Sequence, residues 1–137
     1  MSYIYSDGGR TAAGMKTQTD CGIRAMAIAC NIPYAEARKV LKEASKKGKL
    51  GSAAIARGIY KEDMEAALKK YGFVRKSAPK LDGRKARYYD LPKGRIVAHM
   101  AKHFVAVIDG QLYDTWDSTG KMVYDYWILE GANSFKS

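Results

Sequence analysis

From Cys21 to Cys30 the chain reads CGIRAMAIAC, apolar on nearly every face, with Arg24 its only charge. That pattern predicts a helix packed inside the domain rather than one lying on its surface. Asp20 stands at the N-cap position, and Asn31-Ile32-Pro33 closes this helix and opens the next, since Asn caps and Pro fits a first turn. The second helix should cover about 33–46. Ala37, Val40, Leu41 and Ala44 fall at three- and four-residue spacing, and Arg38, Lys39, Lys42 and Glu43 take the opposite face. Residues 46–58 are rich in Gly and Lys, break the period and read as a loop. A third helix follows at about 61–71, with Met64, Ala67, Leu68 and Tyr71 as its buried stripe and Gly72 placed for a left-handed C′ residue.

Beyond Gly72 the period changes from helical to alternating: Phe73-Val74, Arg95 to Ala98, Phe104 to Ile108, Leu112 to Trp116 and Met122 to Leu129. Asp109-Gly110 is a strong hairpin signal, so 103–108 and 111–116 should pair antiparallel. Helices followed by an antiparallel sheet make an α+β domain. The expected organisation is a single domain over 1–137, with an irregular Gly-, Ser- and Thr-rich lead-in (1–19), a helical part (20–71) and a sheet part (72–137).

A length of 137 residues suits one core. No apolar run approaches the ~18 residues of a membrane span, and the first ten residues lack a signal peptide's apolar stretch, so the expectation is a cytoplasmic protein with no membrane partner. Charge is the unusual bulk property, at +10. Residues 1–107 carry 22 basic and 9 acidic side chains, whereas 108–137 carry 2 and 5. The tract 69–95 alone holds ten basic side chains against Asp82 and Asp90, with Tyr71, Tyr88 and Tyr89 interleaved. Such a field draws acidic proteins, nucleic acid or anionic lipid without choosing among them. Cys21 and Cys30 share one helix about 13 Å apart, beyond disulfide reach, and free thiols fit a reducing compartment.

The candidate chemistry begins at Cys21. The first turn of a buried helix offers unpaired N–H groups and the positive end of the dipole, which favour a thiolate. His103 opens a strand whose partner returns through Asp109-Gly110. With a two-residue turn, paired positions sum to 219, so His103 opposes Trp116 and Val105 opposes Asp114. Asp114 then shares a sheet face with His103 one pair away diagonally, within side-chain reach. A carboxylate there orients the imidazole while the other ring nitrogen serves the thiol. Asp117 falls on the other face and takes this role only if a bulge shifts the hairpin. His99-Met100-Ala101-Lys102-His103 spells a metal-ligand spacing, but its flanks are strand-like. The helical geometry a zinc site needs is therefore not expected, no metal or cofactor is called for, and His99 reads as a strand-end residue flanking the cleft.

Asp20-Cys21-Gly22-Ile23-Arg24-Ala25-Met26-Ala27-Ile28-Ala29, a late His103-Phe104-Val105-Ala106-Val107 strand and an acidic residue on the next resemble the papain-like cysteine peptidase superfamily. The pattern is nearest its C39-type and NlpC/P60-like branches and a group of phage and bacterial proteins with a similar Asp-Cys helix. The resemblance covers about 20–44 and 94–118. It implies a papain-like fold, Cys21 as nucleophile, His103 as general base and Asp114 as the orienting residue. Relatives place an oxyanion-binding Gln about half a dozen residues before the cysteine; here Gln18, three residues upstream, is the candidate for that role, its amide reaching the oxyanion beside the Cys21 N–H. The activity implied is hydrolysis of a peptide, isopeptide or amide bond of a protein substrate through a thioester. The alternative is an inactive papain-like binder, a phage-encoded effector in a host cytoplasm, engaging an acidic protein or nucleic acid through its basic face.

Overall fold

Residues 3–14, 20–46 and 61–130 are described by a computed structural model. Within them lie three helices, α1 (Cys21–Cys30), α2 (Tyr34–Lys46) and α3 (Lys61–Lys69), and six strands: β1 (Ile4–Tyr5), β2 (Phe73–Ser77), β3 (Arg95–Met100), β4 (His103–Ile108), β5 (Gln111–Asp114) and β6 (Val123–Leu129). The strands form one sheet in the order β1-β5-β4-β3-β6-β2. The class is α+β, as expected.

Strand alternation explains how the layers assemble. Val97, Phe104, Ala106 and Trp127 point to the face covered by the helices, where they pack with Ile23, Met26, Leu41, Met64 and Leu68. Ile96, Ala98, Met100, Val105, Val107 and Leu112 take the opposite face, under Tyr88 and Leu91 of the basic tract. Each residue thus follows the period-two rule for a sheet buried on both sides. Helix α1 lies along β4 with its N-terminus at the His103 end. Its other end is held by Arg95, whose Nε and Nη2 donate to the carbonyls of Ala29 (2.6 Å) and Ile28 (2.7 Å). A fixed cation there complements the negative end of the helix dipole. Asn31 then turns the chain through the left-handed region (φ 56°).

Four expectations are corrected. The lead-in is not wholly irregular, because β1 pairs parallel with β5 (Ile4 with Tyr113, Tyr5 with Asp114) and makes the sheet mixed rather than antiparallel. Two residues are too short to show alternation, and the pairing arises because β5 would otherwise leave an open edge. Strand β2 runs to Ser77 rather than stopping at Val74. As the other edge it exposes Arg75 and Lys76, charged residues that suit an edge strand but mask its period. Strand β5 ends at Asp114, not Trp116, because the Asp114 carboxylate accepts the Thr115 N–H (2.7 Å) and breaks the extended run. Helix α3 also ends two residues early, although Gly72 takes the left-handed conformation (φ 86°). The loop expected beyond Lys46 lies outside the described residues. Among those described, no helix is long and apolar enough to cross a membrane.

Candidate active site

Cys21 is the first residue of α1, and the buried packing of the rest of that helix aims its N-terminus at the sheet end where β4 begins and β5 ends. The hairpin register is the one derived from the turn: Ala106 with Tyr113, Val107 with Leu112, Ile108 with Gln111. His103 and Asp114 therefore meet on the diagonal, with His103 Nε2 2.6 Å from Asp114 Oδ2. That bond leaves Nδ1 as the ring nitrogen for the thiol, and Cys21 and His103 are joined by a side-chain hydrogen bond.

The electrostatics follow from these contacts. Burial pushes the Cys21 thiol up, but the His103 hydrogen bond, the Phe104 N–H donating to sulfur and the charges of His103 and Arg24 outweigh it, so its pKa lies below the ordinary 9.0. Burial pushes His103 down, yet hydrogen bonds to Asp114 and Cys21 raise its pKa above 6.5. For Asp114, burial acts upward, and donation from His103 and Ser118 and the charge of His103 bring the carboxyl below 3.8. These opposed shifts move the pair toward thiolate and imidazolium. Cys30 is pushed up to about 12 by burial, against the lowering charge of Arg95, which disfavours its thiolate.

Asp114 is almost fully buried and accepts four donors: His103, the Thr115 N–H, Ser118 Oγ (2.6 Å) and Arg24 Nη2 (3.2 Å). Asp117, the alternative third member, is ruled out of that role. It is exposed and its carboxylate accepts from the Thr119 N–H and Oγ1 (3.1 and 2.5 Å), because the hairpin has no bulge to bring it inward. Trp116 remains beside the base although its strand has ended, its ring 4.9 Å from that of His103 and half exposed. Gln18, the residue expected to help hold an oxyanion, lies outside the described residues.

Two contributions were not foreseen. Ser118 is fully buried in an otherwise turn-like stretch. Asp20 occupies the N-cap position but makes no cap hydrogen bond, contrary to expectation. Its carboxylate is instead bonded to Arg24 Nη1, to Arg10 Nη1 (3.0 and 3.2 Å) and to the Tyr34 hydroxyl (3.0 Å). Turned away from the first-turn N–H groups, it gives them no side-chain cap. Arg24 thereby joins the Asp20 carboxylate before Cys21 to the Asp114 carboxylate behind His103. The four-residue spacing of Asp20 and Arg24 was a legible sign of this pair.

His99 does flank the site. It pairs across the strands with Phe104, whose N–H meets the Cys21 sulfur, and stacks on the Phe104 ring at 5.1 Å. Its Nδ1 is 2.8 Å from Asp125 Oδ1. His99 and His103 stand on opposite parities of a β-hairpin, and no group of three His, Cys, Asp or Glu able to hold a metal occurs among the described residues. The basic tract contributes Lys80, Arg84 and Lys85 to a separate cavity of 390 Å³, lined also by Leu81, Met122 and Tyr124. Comparison of the chain with protein-family models, curated proteins and solved structures found no match in any of the three.

Proposed function

We propose that this chain is a papain-like cysteine hydrolase that cleaves a peptide, isopeptide or amide bond through a thioester on Cys21. The observation that carries this reading is the unbroken series from a helix-mouth thiol through His103 to a buried carboxylate 2.6 Å from the ring. The Cys21 thiolate attacks the carbonyl carbon, and the resulting oxyanion accepts from the Cys21 N–H. His103, protonated at Nδ1, gives that proton to the departing amine as the C–N bond breaks. The same nitrogen then takes a proton from water, whose oxygen attacks the thioester. The acid product leaves and the thiol is restored. Asp114 holds the ring in place throughout, and its four donors fix the carboxylate itself.

The test is a mixture of N-terminally blocked peptides incubated with the protein and with Cys21→Ser. New amine termini and a hydroxylamine-sensitive acyl adduct on Cys21, both absent from the variant, are expected. Peptides left intact, with a Cys21 no more reactive than Cys30, overturn the reading.

A second reading has one observation in its favour. The 390 Å³ cavity combines Lys80, Lys85 and Arg84 with an exposed tyrosine, Tyr124, away from the triad. A binder of acidic protein or nucleic acid would use this face. Retention on heparin that falls steeply with salt and is lost in Lys80→Gln/Lys85→Gln, together with an unreactive Cys21, would select it.

A further inference from the structure

One row of cross-strand partners at the nucleophile's end of the sheet runs Phe104, His99, Asp125, Ser77 over β4, β3, β6 and β2. The row begins at the residue whose N–H meets the Cys21 sulfur. Phe104 and Trp127 lie in the helix-side core, so alternation turns His99 and Asp125 to that same face, beyond the N-terminus of α1.

Asp125 is buried and bonded on both oxygens: Oδ1 to His99 Nδ1 (2.8 Å), Oδ2 to Arg75 Nε (2.7 Å) and Lys61 Nζ (3.3 Å). Two permanent cations and an imidazole thus surround one carboxylate. Satisfying Asp125 requires one cation. A second, partly exposed one adds little stability. Lys61 and Arg75 have donors beyond those spent on Asp125, and their side chains are 37% and 42% exposed. The His99 ring is held by Phe104, by Tyr124 (5.7 Å) and by Trp127 (6.3 Å), which keeps its Nε2 edge fixed. Glu65, the nearby carboxylate of α3, accepts from Trp127 Nε1 instead (3.2 Å).

We propose that Lys61, Arg75 and the His99–Asp125 pair form a subsite for a carboxylate of the substrate; Asp125 lies two strands over from Phe104, the residue whose N–H meets the Cys21 sulfur, a backbone separation of about 10 Å. This rests on the hydrolase reading and names its substrate class. In an extended peptide at about 3.4 Å per residue, the acidic group lies about three residues from the bond cleaved.

The test uses affinity labels that need no turnover: N-iodoacetyl-Gly-Gly-Asp-amide and its Asn counterpart, with N-iodoacetyl-triglycine and its amide to separate a side-chain acid from a terminal one. Each alkylates a thiolate with loss of iodide, and Cys21 modification is followed by mass spectrometry. One acidic label is expected to react about tenfold faster than its neutral counterpart, the return of one charge-assisted hydrogen bond in a half-exposed site. Lys61→Gln and Arg75→Gln, each leaving Asp125 one cation, should shrink that ratio toward one while the rate with plain iodoacetamide is unchanged. Lys80→Gln/Lys85→Gln should leave it intact, showing that net charge is not the cause. A ratio near one in the unmodified protein, or one that survives both single variants, overturns the subsite. A Cys21 no faster than Cys30 with plain iodoacetamide overturns the hydrolase reading instead.

Discussion

Replacing His103 by Ala removes two of the influences that hold the Cys21 thiolate, its hydrogen bond and its charge, and leaves burial, which acts the other way, as the dominant one. The internal reference is Cys30. With that thiol at about 12 and Cys21 below 9.0, their thiolate populations at neutral pH differ by at least about a thousandfold. The less basic thiolate is intrinsically the weaker nucleophile. A Brønsted coefficient near 0.5 returns about thirtyfold of that advantage. The floor for the Cys21:Cys30 rate ratio is therefore about thirtyfold, before the complete burial of Cys30 widens it further. The assay is iodoacetamide at pH 6–7, quenched over time, with peptide mapping of each site. In His103→Ala the Cys21 rate should fall while Cys30 stays put. A ratio of one in the parent protein, or a Cys21 rate unmoved by the substitution, refutes the account of thiolate stabilisation.

Activity should follow a bell in pH. Its acid limb reflects the lowered Cys21 and its alkaline limb the raised His103, so Asp114→Asn, which removes the ring's anionic partner, should move the alkaline limb down. Because Asp114 and Asp125 both have depressed pKa values, the stability they contribute is present above 3.8 and is lost as pH falls through their folded-state values. Denaturant midpoints measured from pH 6 to pH 2 should fall accordingly, less steeply in Asp114→Asn. Asp20→Ala leaves buried Arg24 with Asp114 alone at Nη2 and no partner at Nη1, its Nε already lacking one among the described residues, and should cost about 2 kcal/mol by urea unfolding. Arg95→Met removes both donors at the end of α1 and should cost about 1–2 kcal/mol in the same assay.

What could be read in advance was whatever local periodicity or turn chemistry decides. The all-apolar α1 announced its burial, and Asp109-Gly110 set the register that brings Asp114 rather than Asp117 to His103. Contacts between distant segments left weaker marks. Two residues such as Ile4 and Tyr5 carry no pattern that foretells a partner at 113–114. Ser118 looks like any turn serine until the chain folds it against Asp114. Asp20 had the right position for a cap, but a nearby guanidinium competes for a carboxylate better than backbone N–H groups do, and only the fold puts Arg10 and Arg24 there.

The parallel joining of Tyr5 to Asp114 closes a loop of 109 residues, with the nucleophile near its beginning and the base near its end. Such long-range closure comes late in folding. On the ribosome Cys21 emerges more than eighty residues before His103, and until the last strands join it is an ordinary cysteine with neither imidazole nor carboxylate behind it. On the hydrolase reading proposed above, the order of synthesis acts as a safety catch: a half-made chain carries the thiol without the means to arm it.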